Sequence, residues 1–201
     1  MKRPVRALAA LVMAAAALAA CSPAVLPMTY MPATASRPLA TARPVVSVGP
    51  VTDARRDGQE GSASFGTIRG GYGNPLRRLA APVQISEVVG QAFRDALEAR
   101  GLLMPGGTES PYELRVRVLR FNANKLLRTE ANVHLEGSLV SRATGATVWT
   151  GIGVSDLIEA GDLIATGIAA NPEELRQTML RSMAAAIDQM LDRPDFVAAL
   201  R

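Results

Sequence analysis

Two side chains of this sequence could carry out nucleophilic or acid–base chemistry at neutral pH, because it contains one cysteine, Cys21, and one histidine, His134. A thiolate nucleophile needs a neighbouring base, and a histidine-rich metal centre needs several imidazoles. His134 lies between Val133 and Leu135 in an alternating polar and apolar segment, which predicts a polar residue on an exposed sheet face. We therefore expect no enzymatic activity, no metal and no non-covalent cofactor.

The surroundings of Cys21 indicate a different chemistry. A basic start is followed by an apolar run over residues 7–20, too short to span a bilayer but typical of a secretory signal. The run ends in Leu18-Ala19-Ala20-Cys21, which resembles the lipobox of bacterial lipoproteins. That resemblance implies cleavage after residue 20 and a covalent lipid on Cys21. The alternative is an ordinary secretory signal with a cysteine placed by chance.

The same resemblance predicts a cellular location and the net charge of the mature protein. Ser22 stands where an Asp commonly retains lipoproteins in the inner membrane, so we expect the periplasmic face of the outer membrane. The signal contains Lys2, Arg3 and Arg6, and its removal lowers the formal charge from +4 to +1. A nucleic-acid-binding protein should keep a concentrated basic excess in its folded part. The expected partners are therefore the membrane, through the lipid, and another envelope protein, but no nucleic acid.

A cluster of arginines could bind anions or lipid headgroups. Five of them fall within residues 52–81, a glycine-rich stretch without periodicity: Arg55, Arg56, Arg69, Arg77 and Arg78. The alternative is a solvated loop with local ion pairs. The glycines at 66, 70, 71 and 73 do not form a phosphate loop, because no P-loop lysine follows them.

A second candidate surface is centred on Trp149, the only tryptophan. The strand pattern places Trp149 on the sheet face that the helices leave open, together with Arg115 and Arg117. An exposed tryptophan near arginines would form an interaction face for a protein partner. The alternative is a tryptophan buried under residues 156–170.

The elements that position these residues can be read from periodicity. Residues 85–100 and 172–191 predict helices, the second with Asn171 as N-cap and Pro172 at its first position. Residues 45–51, 112–118, 132–139 and 146–154 predict strands, the last two joined by a turn with Gly145. We expect an α/β (α+β) two-layer sandwich, with a mixed four-stranded sheet, two helices on one face and the order β-α-β-β-β-α.

The domain organisation predicted from composition has three parts. Residues 1–20 form a signal peptide, residues 21–44 a lipidated proline-rich tether, and residues 45–201 a single periplasmic α/β domain. The tether assignment depends on five prolines among Ala, Thr and Ser with no apolar period.

The motifs of this domain resemble those of YajG-type bacterial lipoproteins. The shared features are a strand leading into Asp53-Ala54-Arg55, an apolar–Gly pair at Phe65-Gly66, and a helix closing on Gly101. The resemblance covers roughly residues 45–192 and departs in the longer loop at 58–81. It implies a non-catalytic periplasmic domain on a lipid anchor, with no active site to transfer.

Two functions follow as expectations. The first is a non-catalytic interaction or accessory module of the cell envelope. The alternative is an auxiliary lipid- or anion-binding component of an envelope transport system, using the arginines and a cavity lined by Met179, Met183 and Met190. Plain core packing is the other interpretation of these methionines.

Overall fold

The structure, a computed structural model, describes residues 23–32, 43–56, 61–104, 109–160 and 171–200. Cys21, the signal and residues 33–42 of the expected tether lie outside these ranges. The strands are β1 Ala24–Val25, β2 Val46–Asp53, β3 Ser64–Arg69, β4 Pro75–Ala80, β5 Tyr112–Lys125, β6 Thr129–Ser141 and β7 Thr147–Glu159. The helices are α1 Ile85–Ala99, α2 Pro172–Leu191 and α3 Pro194–Ala198.

One mixed sheet contains all seven described strands, in the order β1-β4-β3-β5-β6-β7, with β2 also paired to β5. The long central strand β5 binds β2 along its first half and β3 along its second half, both in parallel. Strands β5, β6 and β7 form an antiparallel meander. The two parallel neighbours of β5 are therefore arranged end to end along the same edge.

Helices α1 and α2 cover one face of the sheet, as the sequence predicts. The apolar stripe of α1 is buried, and Asn171 accepts a 3.0 Å hydrogen bond from the Glu173 N–H to cap α2. Met179, Met183 and Met190 are 0 % exposed and belong to the main hydrophobic core. The structure supports core packing for these methionines instead of a ligand cavity.

The predicted four-stranded sheet is wrong, because residues 64–80 form the hairpin β3–β4 where the sequence predicts a loop. Phe65, Ile68 and Leu79 anchor this hairpin in the core at 2 % exposure or less. The adjacent arginines at 77 and 78 and the glycine at 66 obscure the strand pattern. A Cβ at Gly66 would lie 3.2 Å from the Ala123 carbonyl oxygen, so a small residue is needed where β3 joins β5.

Part of the expected tether is also folded. Ala24 and Val25 pair in parallel with Leu79 and Ala80 of β4, and residues 26–32 continue across the helical layer. Tyr30 is 7 % exposed, and its hydroxyl donates a 2.6 Å hydrogen bond to Asp188 of α2. Its burial and this hydrogen bond raise the pKa of Tyr30 to about 12. The ten described residues following the signal therefore pack against the domain.

The hydroxyl of Tyr30 meets a buried ion-pair cluster between the two helices. The Arg100 guanidinium, 3 % exposed, lies 2.9 Å from Asp188 and 2.8 Å from Asp192. Burial opposes the charge of Arg100, but the two carboxylates outweigh it and raise the Arg100 pKa. This cluster joins α1, α2 and the N-terminal segment.

The buried face of strand β7 is the opposite one from the face that its hydrophobic pattern predicts to be buried. Trp149 is 6 % exposed and lies under the helices, with its ring 4.9 Å from that of Phe196 in α3. Two glycines on the same face of β7 as Trp149 allow this arrangement. A Cβ at Gly151 would meet the Trp149 ring at 2.2 Å, and one at Gly153 would meet the Ala186 carbonyl oxygen at 2.1 Å. The Trp149 ring at Gly151 and the close approach of α2 at Gly153 therefore require glycines on the inner face, and the branched aliphatic residues face outward.

Candidate functional site

The sheet face opposite the helices, which we call the open face, carries the outward side chains of β5, β6 and β7. Arg115 and Arg117 lie there, as predicted, and each side chain is 56 % exposed. Arg115 pairs with Glu113 at 2.6 Å, and Arg117 pairs across strands with Glu136 at 2.5 Å. Such exposed pairs contribute little to stability, so their side chains can exchange partners on binding.

Trp149 is not part of this face, which corrects the predicted interaction surface. The alternative, burial under residues 156–170, involves residues 161–170, which lie outside the described residues. Within the described part, the Trp149 ring packs against Phe196 of α3. The predicted grouping of Trp149 with Arg115 and Arg117 therefore does not occur.

An apolar row on β7 takes the place of that tryptophan on the open face. Val148, Ile152, Val154 and Ile158 share one parity of the strand, with exposures of 43 %, 52 %, 43 % and 61 %. Each faces outward beside the polar strand β6, where Ile152 pairs with Glu136 and Val154 with His134. This open-face apolar row was missed from sequence, although the glycines at 151 and 153 on the opposite parity were the available signal.

His134 lies on the open face, as predicted. Its Nε2 lies 2.8 Å from an Asp156 carboxylate oxygen on β7. Within the described ranges, no group of three or more His, Cys, Asp or Glu side chains is placed to hold a metal ion. The pair therefore forms a polar border beside the apolar row.

A polar groove occupies the other part of the open face, with a cavity volume of about 270 Å³. The residues that line it come from β3, β5 and β6: Gly66, Thr67, Arg69, Asn122, Ala123, Asn124, Glu130 and Asn132. The Arg69 guanidinium donates to Asn124 Oδ1 at 3.1 Å and to the Gly73 carbonyl at 3.0 Å. Carboxamides and one guanidinium offer donors and acceptors for a small polar ligand. Sequence analysis identified Arg69 but not the asparagines.

The five predicted arginines do not converge on one anion site. Arg55 is buried at 3 % side-chain exposure, and its five N–H groups all donate: two to Asp53, and one each to the carbonyls of Ser62, Ser64 and Phe121. The Arg55 hydrogen bonds hold the pKa of Asp53 below its usual value. Arg55 is therefore a structural clamp at the junction of β2, β3 and β5.

The remaining arginines point in different directions. Arg78 pairs with Thr67 on β3, whereas Arg77 pairs with the buried Ile68. Because adjacent residues of a strand face opposite sides, Arg78 lies towards the open face and Arg77 towards the helical side. Both are exposed, as is Arg56 after the end of β2. Only Arg69 lines the groove.

Cys21, the expected site of lipid attachment, lies outside the described residues. Among the residues that are described, no helix is long and apolar enough to cross a bilayer. The first described segment is packed against β4 and α2, so the path of the chain away from the expected lipid begins at β1.

Comparisons with known proteins show similarity of fold. A scan of protein-family models and a search of the curated proteins find no match. Protein XCC0632 of Xanthomonas campestris, assigned to family DUF330, aligns with 82 % of this chain and 91 % of its own at a TM-score of 0.55 and 10 % identity. At this identity the match shows a shared fold and no more.

Weaker structural matches include two other bacterial proteins. PelC of Paraburkholderia phytofirmans, a dodecamer, has a TM-score of 0.43 and 13 % identity, covering 78 % of this chain and 95 % of PelC. Lipoprotein GNA1162 of Neisseria meningitidis has a TM-score of 0.29 and 11 % identity, covering 74 % of this chain and 98 % of that one. None of the comparisons identifies the YajG type, so that resemblance stays an expectation.

Proposed function

We propose that this chain is a lipid-anchored protein of the outer membrane whose periplasmic domain binds another envelope protein without catalysing a reaction. The open-face apolar row of β7 is the observation that carries this proposal. The lipobox supports the anchor, and the single histidine and single cysteine of the sequence support a non-catalytic role.

The apolar row has the composition of a binding surface. Ile152, Val154 and Ile158 expose between 43 % and 61 % of their area side by side on one strand. A soluble domain gains nothing by exposing contiguous aliphatic side chains, so such patches mark contact sites. The exposed charges of Arg117 and Glu136 adjoin the row on the neighbouring strands. An apolar centre with a polar border is the usual arrangement of a protein interface.

The partner is expected to bind the face of β7 and not its edge. The edge of a sheet normally offers unpaired backbone groups to an added strand. Here the Val154 N–H donates a 2.8 Å hydrogen bond to the Gln189 side chain of α2, which occupies the middle of that edge. The side chains of the apolar row remain accessible beside it.

Crosslinking in intact cells tests this proposal. A photo-crosslinking amino acid at Ile152 or Val154 should capture one envelope protein, whereas the same group at Glu98, exposed on the helical side, should not. Ile152→Ser should reduce the yield of a crosslink formed from position 154, because it removes apolar contact area beside the probe. Equal capture from position 98, or an unchanged yield with Ile152→Ser, would contradict the proposed surface.

A second candidate function rests on the polar groove. Arg69 and the asparagines at 122, 124 and 132 could bind a small anion or a lipid headgroup in an auxiliary transport role. Native mass spectrometry of protein extracted from envelopes should then detect a bound ligand that is lost in Arg69→Gln. Ligand-free protein would argue against this alternative.

A further inference from the structure

The register of the sheet places several exposed apolar side chains at one end. The chain before β1, which would bear the lipid, leads back towards that end. Ile68 pairs in parallel with Lys125, close to the last residues of β3 and β5. The turns that follow, at residues 70–74 and 126–128, therefore leave the sheet at the same end. We call these two turns, together with Leu76, the turn end of the sheet.

The turn end exposes large apolar side chains directly to solvent. Tyr72 is fully exposed, Leu127 is 59 % exposed and Leu76 is 44 % exposed. These side chains come from two different turns and from the start of one strand, so the patch does not arise from a single irregular loop. At the opposite end, the β6–β7 turn contains only Arg142, Ala143, Thr144, Gly145 and Ala146, with no large apolar side chain.

The direction of β1 links this end to Cys21. Strand β4 starts at the turn end, and β1 runs parallel to it, with Ala24 opposite Leu79. The chain preceding Ala24 is therefore directed towards the turn end. Cys21 lies three positions before Ala24, so the chain between them spans at most about 10 Å, which equals the distance along β4 from Leu79 to Leu76. A lipid on Cys21 would therefore lie within about 10 Å of Ala24, a reach that extends along β4 as far as Leu76.

The charges of the turn end do not oppose contact with a membrane surface. Among the described residues of this region, four carboxylates are each neutralised by an ion pair: Glu130 with Arg128, Glu174 with Lys125, Glu173 with Arg176 and Glu159 with Arg181. Arg77 is exposed on β4 beside Leu76. A tyrosine, aliphatic side chains and arginine are the residue types that membrane interfaces accept.

We propose that the turn end lies on the lipid bilayer, so that Tyr72, Leu76 and Leu127 form a second, non-covalent membrane contact beside the lipid of Cys21. This inference rests on the lipid anchor of the proposed function. The strands then stand away from the membrane, and the apolar row of β7 faces sideways into the periplasm. One acyl chain holds a protein only marginally at a bilayer, whereas several contacts act together.

Site-specific labelling of the lipidated chain tests this orientation. The full chain is processed in cells and reconstituted in phosphatidylethanolamine–phosphatidylglycerol vesicles as Tyr72→Cys, Leu127→Cys or, as the matched control, Thr144→Cys. Because acylated Cys21 cannot react, the introduced thiol alone takes an environment-sensitive nitrobenzoxadiazole dye. The emission at 72 and 127 should shift to the blue and be quenched by lipids with a shallow spin label. The emission at 144 should match that of the dye in water.

The possible outcomes distinguish a failure of the proposed orientation from a failure of the lipid anchor. Vesicle flotation with one dye per chain establishes the anchor, and water-like emission at 72 and 127 in floating protein would then overturn the orientation alone. Equal quenching at all three positions would also overturn it, because the domain would then lie flat. If the protein does not float and carries two dyes per chain, Cys21 has a free thiol, and both the lipid on Cys21 and the orientation are refuted. The crosslinking test of the open face is independent of this result.

Discussion

The substitution Gly153→Ala tests the orientation of β7, on which the open-face apolar row depends. If Gly153 faces α2, as the structure has it, the added methyl group would lie 2.1 Å from the Ala186 carbonyl oxygen and 2.7 Å from Met190 Cγ. If the hydrophobic pattern of the sequence were followed instead, Gly153 would face solvent. Alanine would then be harmless, or slightly stabilising through the entropy of the unfolded chain.

The expected magnitude follows from the contact distance. Ordinary van der Waals contact begins near 3.4 Å, so α2 must move away from β7 by roughly 1 Å to admit the methyl group. Because the obstructing atom belongs to the helix backbone, no side-chain rotation relieves the clash. Overpacking of this kind costs about 3 kcal/mol. With a urea dependence of about 2 kcal/mol per molar, the unfolding midpoint should fall by about 1.5 M.

The assay is urea unfolding of the mature chain carrying Cys21→Ser, monitored by the fluorescence of the buried Trp149. Gly71→Ala is the matched control, because its Cβ would have nothing within 4 Å and should shift the free energy of unfolding by less than about 0.5 kcal/mol. Ile152→Ser should also be tolerated, since Ile152 is 52 % exposed. A normal midpoint for Gly153→Ala together with a large loss for Ile152→Ser would refute the orientation.

Three further predictions concern the anchor, the clamp and the N-terminal segment. Cys21→Ser should abolish labelling by palmitate and release the protein from the outer-membrane fraction, because no thioether can form. Arg55→Met should lower the free energy of unfolding by about 3 kcal/mol in urea, since it leaves a carboxylate and three carbonyls without their donor, whereas exposed Arg77→Met should change it by less than about 0.5 kcal/mol. The raised pKa of Tyr30, about 12 against 10.0, means that its protonated form stabilises the fold below pH 10 and that this contribution is lost as the pH rises to 12. After correction for the base catalysis of amide exchange, the protection of residues 23–32 should fall across that window in wild type, and this fall should be absent in Tyr30→Phe.

Local signals in the sequence were sufficient for helices α1 and α2 and for the central meander, but α3 was not predicted. The Asn171 cap and Pro172 mark the start of α2, and both features are present in the structure. Gly101 and Gly145 both have a φ of +70°, the conformation that their positions after a helix and in a turn require. These features depend on residues a few positions apart, so periodicity and capping chemistry reveal them.

The candidate surfaces were only partly predictable. Arg115, Arg117 and His134 were correctly placed on the open face because their strands alternate cleanly between polar and apolar residues. Arg55 could not be assigned from sequence, because its role depends on carbonyls of Ser64 and Phe121 that come from two other strands. The spacing of a charged residue within a loop does not show whether the fold will surround it.

The amino-acid sequence by itself determined the cap of α2 and the alternation of β5 and β6, and it predicts the signal and the lipobox, since each depends on neighbouring residues. Tertiary structure decided which face of β7 is covered, because both parities of that strand carry apolar residues. Helix α2 packs so close that only glycine fits at 153, and the Trp149 ring covers Gly151. These steric requirements outweigh the burial of the four aliphatic side chains of the apolar row. The long-range pairing of β1 with Leu79 and Ala80 of β4 likewise directs the chain before Ala24 towards the turn end of the sheet, a placement that proline content alone could not indicate.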